Sequence, residues 1–196
     1  MDSGYVKLDP YEACYLRFLE GDECGFTELV ESLGEKLIFF INRFVNDPAL
    51  AEDLMEDTFC EILVHKNRFR GQASFQTYLF AIAHNKAVDA IRKNIREQRR
   101  ESLAAWEPDE TVSFEERMCT DQRKTALHQA ISRLNEEYQA VLHLIYFEEL
   151  SYDEAAIVLK KNNRQIKNLV YRAKQTLKTL VEGEAIFDED FAAMDR

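Results

Sequence analysis

A chain of 196 residues, 46% hydrophobic and 31% charged, fits one large domain or two small ones and is globular rather than disordered. Six Gly and three Pro among abundant Leu, Ala, Glu, Lys and Arg favour an all-helical protein. A net charge of −11 makes the whole acidic, no run of about 18 apolar residues is present to span a membrane, and the N-terminus lacks the basic flank and apolar stretch of a secretory signal.

Chemistry-bearing patterns are missing as well. Cys14, Cys24, Cys60 and Cys119 form no CxxC pair and read as scattered reduced thiols. The four His form no HExxH or Cys/His cluster, and no GxGxxG, GxxxxGK[ST] or GxSxG occurs. No metal or cofactor is expected, and the chain reads as soluble, cytoplasmic and non-catalytic.

In chain order, Asp22 caps a helix whose apolar positions Phe26, Leu29, Val30, Leu33, Leu37, Ile41 and Phe44 keep a spacing of three to four. Asp47-Pro48 is an N-cap followed by proline at the first helical position, where its missing N–H costs nothing. That helix is expected to run to about His65 with Leu50, Leu54, Phe59 and Ile62 or Leu63 inward. The stretch NRFRGQAS from Asn67 to Ser74 breaks the pattern, and Ser74 caps a long helix through Phe75, Leu79, Ile82, Val88, Ile91 and Ile95. Residues 99–122 lose periodicity and read as a linker, in which FEERM has room for a short helix. A second module starts at Arg123, with Leu127, Ile131 and Leu134 on one helix and Tyr138, Val141, Leu142 and Ile145 on the next.

Ser151 and Glu154 then make the S-x-x-E capping box, which starts a two-turn helix at Tyr152 that ends at Leu159. KKN interrupts it, and Asn162 caps a further helix with Ile166, Leu169, Val170, Ala173, Leu177 and Leu180 on one face. Arg164, Gln165, Lys167, Asn168, Tyr171, Arg172, Lys174 and Lys178 are left on the remaining surface. Short helix, tight turn and long basic helix make a helix-turn-helix, whose second helix enters the major groove of DNA. Small Ala155 and Ala156 let the two helices approach. A helical hairpin with a solvated second helix is the plainer alternative.

Charge is distributed in blocks. Residues 1–61 carry 4 basic against 15 acidic side chains, 62–100 carry 9 against 2, 101–155 carry 4 against 13, and 156–181 carry 7 against none. A basic block is usually a solvated face. Two of equal net charge, each ending a helical module, point to paired contacts with one polyanion.

LNEEYQAVLHLIYFEELSYDEAAIVLKKNNRQIKNLVYRAKQTLK resembles the C-terminal region of the extracytoplasmic-function sigma factors of bacterial RNA polymerase, in the sigma-70 family. AEDLMEDTFCEIL and FRGQASFQTYLFAIAHNKAVDAIRK resemble the N-terminal region of the same family. The resemblance extends from about Asp9 to Val181 in the family's order and spacing. It implies an all-α chain of two small helical bundles on a flexible linker: a region 2-like domain over 1–98, the linker 99–122, a region 4-like helix-turn-helix domain over 123–182, and an acidic tail over 183–196.

The function implied is that of a dissociable promoter-specificity subunit. The family's N-terminal region binds the clamp of the polymerase's largest subunit, and opens and reads the −10 element. Its C-terminal region reads the −35 element as duplex and sits on the flap of the second-largest subunit. Carried onto this chain, Glu52, Asp53, Glu56 and Asp57 with Leu54 and Phe59 form an acidic-apolar surface for core polymerase, although carboxylates there also suit a solvated helix start. Phe69, Phe75 and Tyr78 are set to stack on unpaired bases while Arg68, Arg70, Lys86, Arg92 and Lys93 hold the backbone. Phe75 and Tyr78 fit the core equally well. Asn85, with both donor and acceptor, suits a base edge. On the recognition helix Arg164, Gln165 and Asn168 are the expected base readers, and Lys167, Arg172 and Lys174, with Tyr171 beside them, hold phosphates. Many members of the family are held inactive by an anti-sigma factor, which makes one a candidate partner.

The chain departs from the family where the turn has a glycine and then an apolar residue: Lys160 and Lys161 stand there. A left-handed position at Lys160 comes only at some cost, which leaves the geometry of the turn open, and Lys161 is expected to lay its methylenes on the core with its ammonium in water. Two rival readings remain: a helix-turn-helix regulator that binds duplex DNA without polymerase, and a helical adaptor. The acidic second helix and the aromatic basic loop speak against the regulator. The adaptor leaves both basic blocks unexplained.

Overall fold

The computed structural model describes residues 9–101 and 130–182. These residues form helices and their connections with no strand among them, and the chain divides into two compact units. The expected linker from 102 to 122, the helix start at Arg123 with Leu127, and the tail 183–196 lie outside the described residues.

The first unit holds α1 (Pro10–Leu19), α2 (Glu23–Val45), α3 (Pro48–Val64) and α4 (Phe75–Glu101). The first three start on an aspartate. Asp9 accepts from the Tyr11 N–H, Asp22 from Cys24 and Asp47 from both Ala49 and Leu50. Each such cap stabilises its helix by about 1 kcal/mol by satisfying a backbone donor that the helix cannot. Ser74 opens α4, its Oγ 3.3 Å from the Thr77 N–H. Sequence reading passed over α1, yet Asp9-Pro10 repeats the Asp47-Pro48 start.

α2 is the centre of this unit and packs on α1, α3 and α4. Leu29, Leu33, Leu37, Phe40 and Ile41 on it are fully buried. Gly25 lets α1 come close, since a Cβ there would stand 2.4 Å from the Cys14 carbonyl oxygen. Along α4, Phe75, Leu79, Phe80, Ile82, Ala83 and Ala87 are buried, whereas Ile95 is 45% exposed. The apolar stripe therefore leaves the core before the helix ends, and α4 extends to Glu101, past the expected boundary at 98.

In the second unit residues 130–132 are helical and are followed by α5 (Glu136–Leu142), capped by Asn135. One π-turn, His143–Phe147, continues α5, and the Glu148 N–H returns to the His143 carbonyl at 3.1 Å. The extra residue in this turn rotates the face. His143 and Leu144 go inward, Ile145 is only half-buried, and Phe147 emerges at 42% exposure. Buried His143 and Glu148 lie side by side, Nε2 to Oε1 3.3 Å. α6 (Tyr152–Leu159) begins with the expected capping box: Ser151 N–H to Glu154 Oε2 at 3.0 Å, and Glu154 N–H to Ser151 Oγ at 3.2 Å. α7 (Asn163–Glu182) packs on α5. It buries Ile166, Val170, Ala173 and Leu177, four positions at helical spacing.

Candidate nucleic-acid interface

Between α6 and α7 the chain turns on Lys160, whose φ is 52°. The Lys161 N–H bonds the Ala156 carbonyl at 3.0 Å and the Lys160 N–H the Ile157 carbonyl at 3.4 Å. These two bonds are a Schellman motif with lysine in the place that glycine favours, and a side chain there costs roughly 1–2 kcal/mol. Lys161 differs from expectation in its partner: its ammonium meets Glu137 Oε1 on α5 at 3.0 Å rather than water. A carboxylate within reach of the turn captures it.

At the start of α7, the Gln165 N–H donates to Asn162 Oδ1 and the Asn162 N–H to Gln165 Oε1, both at 2.8 Å. This is a second capping box. The Asn163 amide donates to Asp153 Oδ1 on α6. Beyond these ties Arg164, Lys167, Asn168, Tyr171 and Arg172 are exposed, Tyr171 at 66%. Arg164, Lys167 and Arg172 have no ion pair among the described residues. Lys174 is half-buried, its ammonium over the Tyr146 ring at 5.2 Å.

The loop between α3 and α4 is held by α1. The Tyr15 hydroxyl donates to the Lys66 carbonyl, and its ring stacks on Phe75 at 4.7 Å and meets Phe69 edge-on at 5.5 Å. Lys66 lies over the Phe18 ring at 4.5 Å. Phe75 is thus a core residue with no face for a base, being fully buried against Tyr15. Phe69 and Tyr78 are half-buried with centroids 5.3 Å apart. Burial raises the phenol pKa of Tyr15 and Tyr78, so both stay protonated near neutrality. Glu61 of α3 faces two of the expected cations, Arg68 at 3.1 Å and Lys86 at 3.4 Å. Arg92 pairs with Asp89 at 3.4 Å. Arg70 is exposed on an open groove with Leu63, Val64 and Lys66. Asn85 is half-buried, and its Oδ1 is sealed from solvent without a hydrogen-bond partner among the described residues. Leaving such an acceptor unmatched costs roughly 1–3 kcal/mol.

Along α3, Glu52, Asp53, Glu56 and Asp57 are exposed, whereas Leu54 and Phe59 are buried at 9% and 4% exposure. Phe59 is therefore removed from the expected surface, whereas Leu54 shows only an edge, in a groove beside Asp57. Helical geometry separates them: Ala51, Leu54, Thr58 and Ile62 form the inner row, and Phe59 turns its ring edge-on to Phe26 at 5.8 Å. A groove between α3 and α4 nevertheless brings Asp57 together with Lys86 and Lys93, so two sets of expected residues adjoin. Sequence reading overlooked Tyr15, Glu61, Glu137 and Asp153. It read the Asn162 cap but not the return bond from the Asn162 N–H to Gln165, for which the N-x-x-Q spacing was a local signal.

Among the described residues no cluster of three His, Cys, Asp or Glu side chains is placed to hold a metal, and no helix is long and apolar enough to cross a membrane. Two family models match, Sigma-70 region 2 over residues 29–97 and Sigma-70, region 4 over residues 124–177. The chain is 29% identical over 170 residues to the RNA polymerase sigma-H factor of Pseudomonas aeruginosa, covering 82% of this chain and 88% of that one. It is 28% identical over 156 residues to the RNA polymerase sigma factor YlaC of Bacillus subtilis, covering 77% and 88%. To the ECF sigma factor BldN of Streptomyces coelicolor it is 31% identical over 169 residues, covering 84% and 63%. The fold is similar to that of the sigma factor RpoE solved with the anti-sigma factor NepR from Bartonella quintana, with a TM-score of 0.66 at 21% identity over 81% of this chain and 98% of that one. It is also similar to CnrH solved with the cytosolic domain of CnrY, with a TM-score of 0.61 at 19% identity over 90% and 100%. The chain belongs to the sigma-70 family and is an RNA polymerase sigma factor of the extracytoplasmic-function type.

Proposed function

We propose that this sigma factor directs core polymerase to its promoters through three separate surfaces. α7 reads the −35 element as duplex. The loop over 65–74 with α4 holds the −10 element, Phe69 and Tyr78 offering ring faces to unpaired bases while Arg68, Arg70, Lys86, Arg92 and Lys93 hold its backbone. The carboxylates Glu52, Asp53, Glu56 and Asp57 meet a basic surface on the clamp of the largest subunit, and the C-terminal unit sits on the flap of the second-largest. The observation that carries this reading is the outer face of α7, which belongs to a block of 7 basic and no acidic residues and exposes Arg164, Lys167 and Arg172.

The contribution is binding rather than bond chemistry, made in the cytoplasm. A protein that prefers melted to paired −10 DNA shifts the promoter toward the open state by that difference in affinity alone. A relative was solved with an anti-sigma factor, and a partner of that kind belongs to the same proposal for this chain.

Run-off transcription with purified core polymerase tests the reading. Transcripts from specific start sites are expected only when this chain is added. Equally tight promoter binding by the chain alone, with no stimulation of core polymerase, would overturn it.

A further inference from the structure

The Gln165 side chain has an acceptor and a donor end, and reading adenine requires both at once. Its Oε1 is already taken by the Asn162 N–H at 2.8 Å, in a box closed by the Gln165 N–H on Asn162 Oδ1. Turning the amide toward a base would release that bond and leave a backbone donor at the helix start without its partner. The neighbouring residues are tied in the same way, Lys161 to Glu137 on α5 and Asn163 to Asp153 on α6. Positions 161, 162, 163 and 165 are all held by the protein. Arg164 and Asn168 are exposed with no side-chain partner among the described residues, and their i, i+4 spacing stacks them on one side of α7.

We propose that Gln165 is a positioning residue that sets the start of the recognition helix and reads no base, leaving base discrimination at that end to Arg164 and Asn168. This rests on α7 being the −35 recognition helix. Glu137 and Asp153 serve the same purpose from the other two helices: they fix the turn and the first residue of α7, and with them the angle at which Arg164 enters the groove.

The test is transcription by holoenzyme from a promoter library randomised across the −35 element, for the wild type and four variants. Gln165→Glu keeps the cap, since glutamate is the usual third-position partner in this box, but replaces the donor end by a carboxylate oxygen. It is expected to lower output uniformly while leaving the rank order of −35 sequences unchanged. Gln165→Ala loses the return bond from the Asn162 N–H while Asn162 still caps the backbone N–H at 165, so melting temperature and output fall, again with the rank order intact. Arg164→Ala is expected to flatten preference at one −35 position by about tenfold. A changed rank order in Gln165→Glu, with Arg164→Ala still flattening its own position, would overturn the proposal and leave the recognition helix standing. Unchanged preference in Arg164→Ala and in the Arg164→Ala, Asn168→Ala double variant would overturn the recognition helix itself.

Discussion

The two basic blocks carry their charge differently. In the first unit Arg68 and Lys86 both face Glu61, and Arg92 leans on Asp89. On α7, Arg164, Lys167 and Arg172 have no carboxylate partner among the described residues. A cation already paired must exchange a carboxylate for a phosphate, so its net gain on DNA is small. An unpaired one gains the whole contact and releases condensed counterions. The difference matches the two tasks proposed: α7 has to find duplex DNA, whereas the first unit should grip only once bases are unpaired and aromatic faces add their stacking.

The largest effect is expected where both surfaces fail together. Reversing charge at Asp53 and Asp57 should weaken association with core polymerase and so reduce −35 and −10 recognition alike, with helix content unchanged because exposed substitutions usually cost little stability. Normal core affinity by fluorescence anisotropy, with normal circular dichroism, would remove this face of α3 from the interface.

Salt dependence separates the two blocks next. Lys167→Ala or Arg172→Ala should each lower the log–log salt slope of duplex binding by holoenzyme by about 0.9, the value for one phosphate contact. Lys86→Ala should lower it by less, because Glu61 already neutralises part of that charge. Equal slopes for all three would erase the distinction. Glu61→Gln tests it from the opposite side. Freed of their partner, Arg68 and Lys86 should favour opening of the −10 region by roughly 0.5–1 kcal/mol, the scale of an exposed ion pair, with −35 preference untouched. Permanganate reactivity of the −10 thymines reads this directly, and unchanged reactivity would show that the pairing restrains nothing.

How much of this was legible in the sequence follows from the range of each interaction. Helix starts are local, so Asp22, Asp47-Pro48, Ser74 and Ser151-x-x-Glu154 were read correctly, whereas the sequence left the turn at Lys160 open and the structure makes it left-handed. Asp9-Pro10 and the Gln165 half of the box at Asn162 use the same signals and were overlooked: the first precedes a short helix with only Tyr15 and Phe18 buried, and the second was hidden by the DNA-reading role already given to Gln165, although the Asn162 cap itself was read. Tertiary choices were out of reach. Nothing near Phe75 in sequence reveals that Tyr15 of α1 covers it, and nothing in AEDLMEDTFCEIL separates exposed Asp53 and Asp57 from buried Leu54 and Phe59 except the direction of the core. The π-turn at His143–Phe147 moved Ile145 off the inner face by inserting a residue that no apolar period records.

Lys160→Gly should stabilise the second unit by about 0.5–1 kcal/mol, since relief of the left-handed strain is partly offset by glycine's greater freedom when unfolded. Salt slope and −35 preference should not change. Thermal denaturation would count against the strain if the variant melted lower. The smallest effect is expected from deleting residues 183–196. Their excess of acidic side chains should disfavour nonspecific DNA binding by the free chain only within a screening length of about 8 Å, so the deletion should raise that affinity slightly at low salt and not at high salt. Identical titrations of the full and shortened chains would exclude any such part for the tail.

Site-specific photo-crosslinking in holoenzyme at one promoter tests the division of labour most directly, with a crosslinker placed in turn at position 171 and at position 78. From position 171 the account predicts crosslinks to −35 duplex whether or not the promoter is open, as expected of exposed Tyr171 on α7. From position 78 it predicts crosslinks to one −10 strand that appear only at temperatures that allow melting. Crosslinks from position 78 of equal strength to closed duplex, or from both positions to the same stretch of DNA, would contradict it.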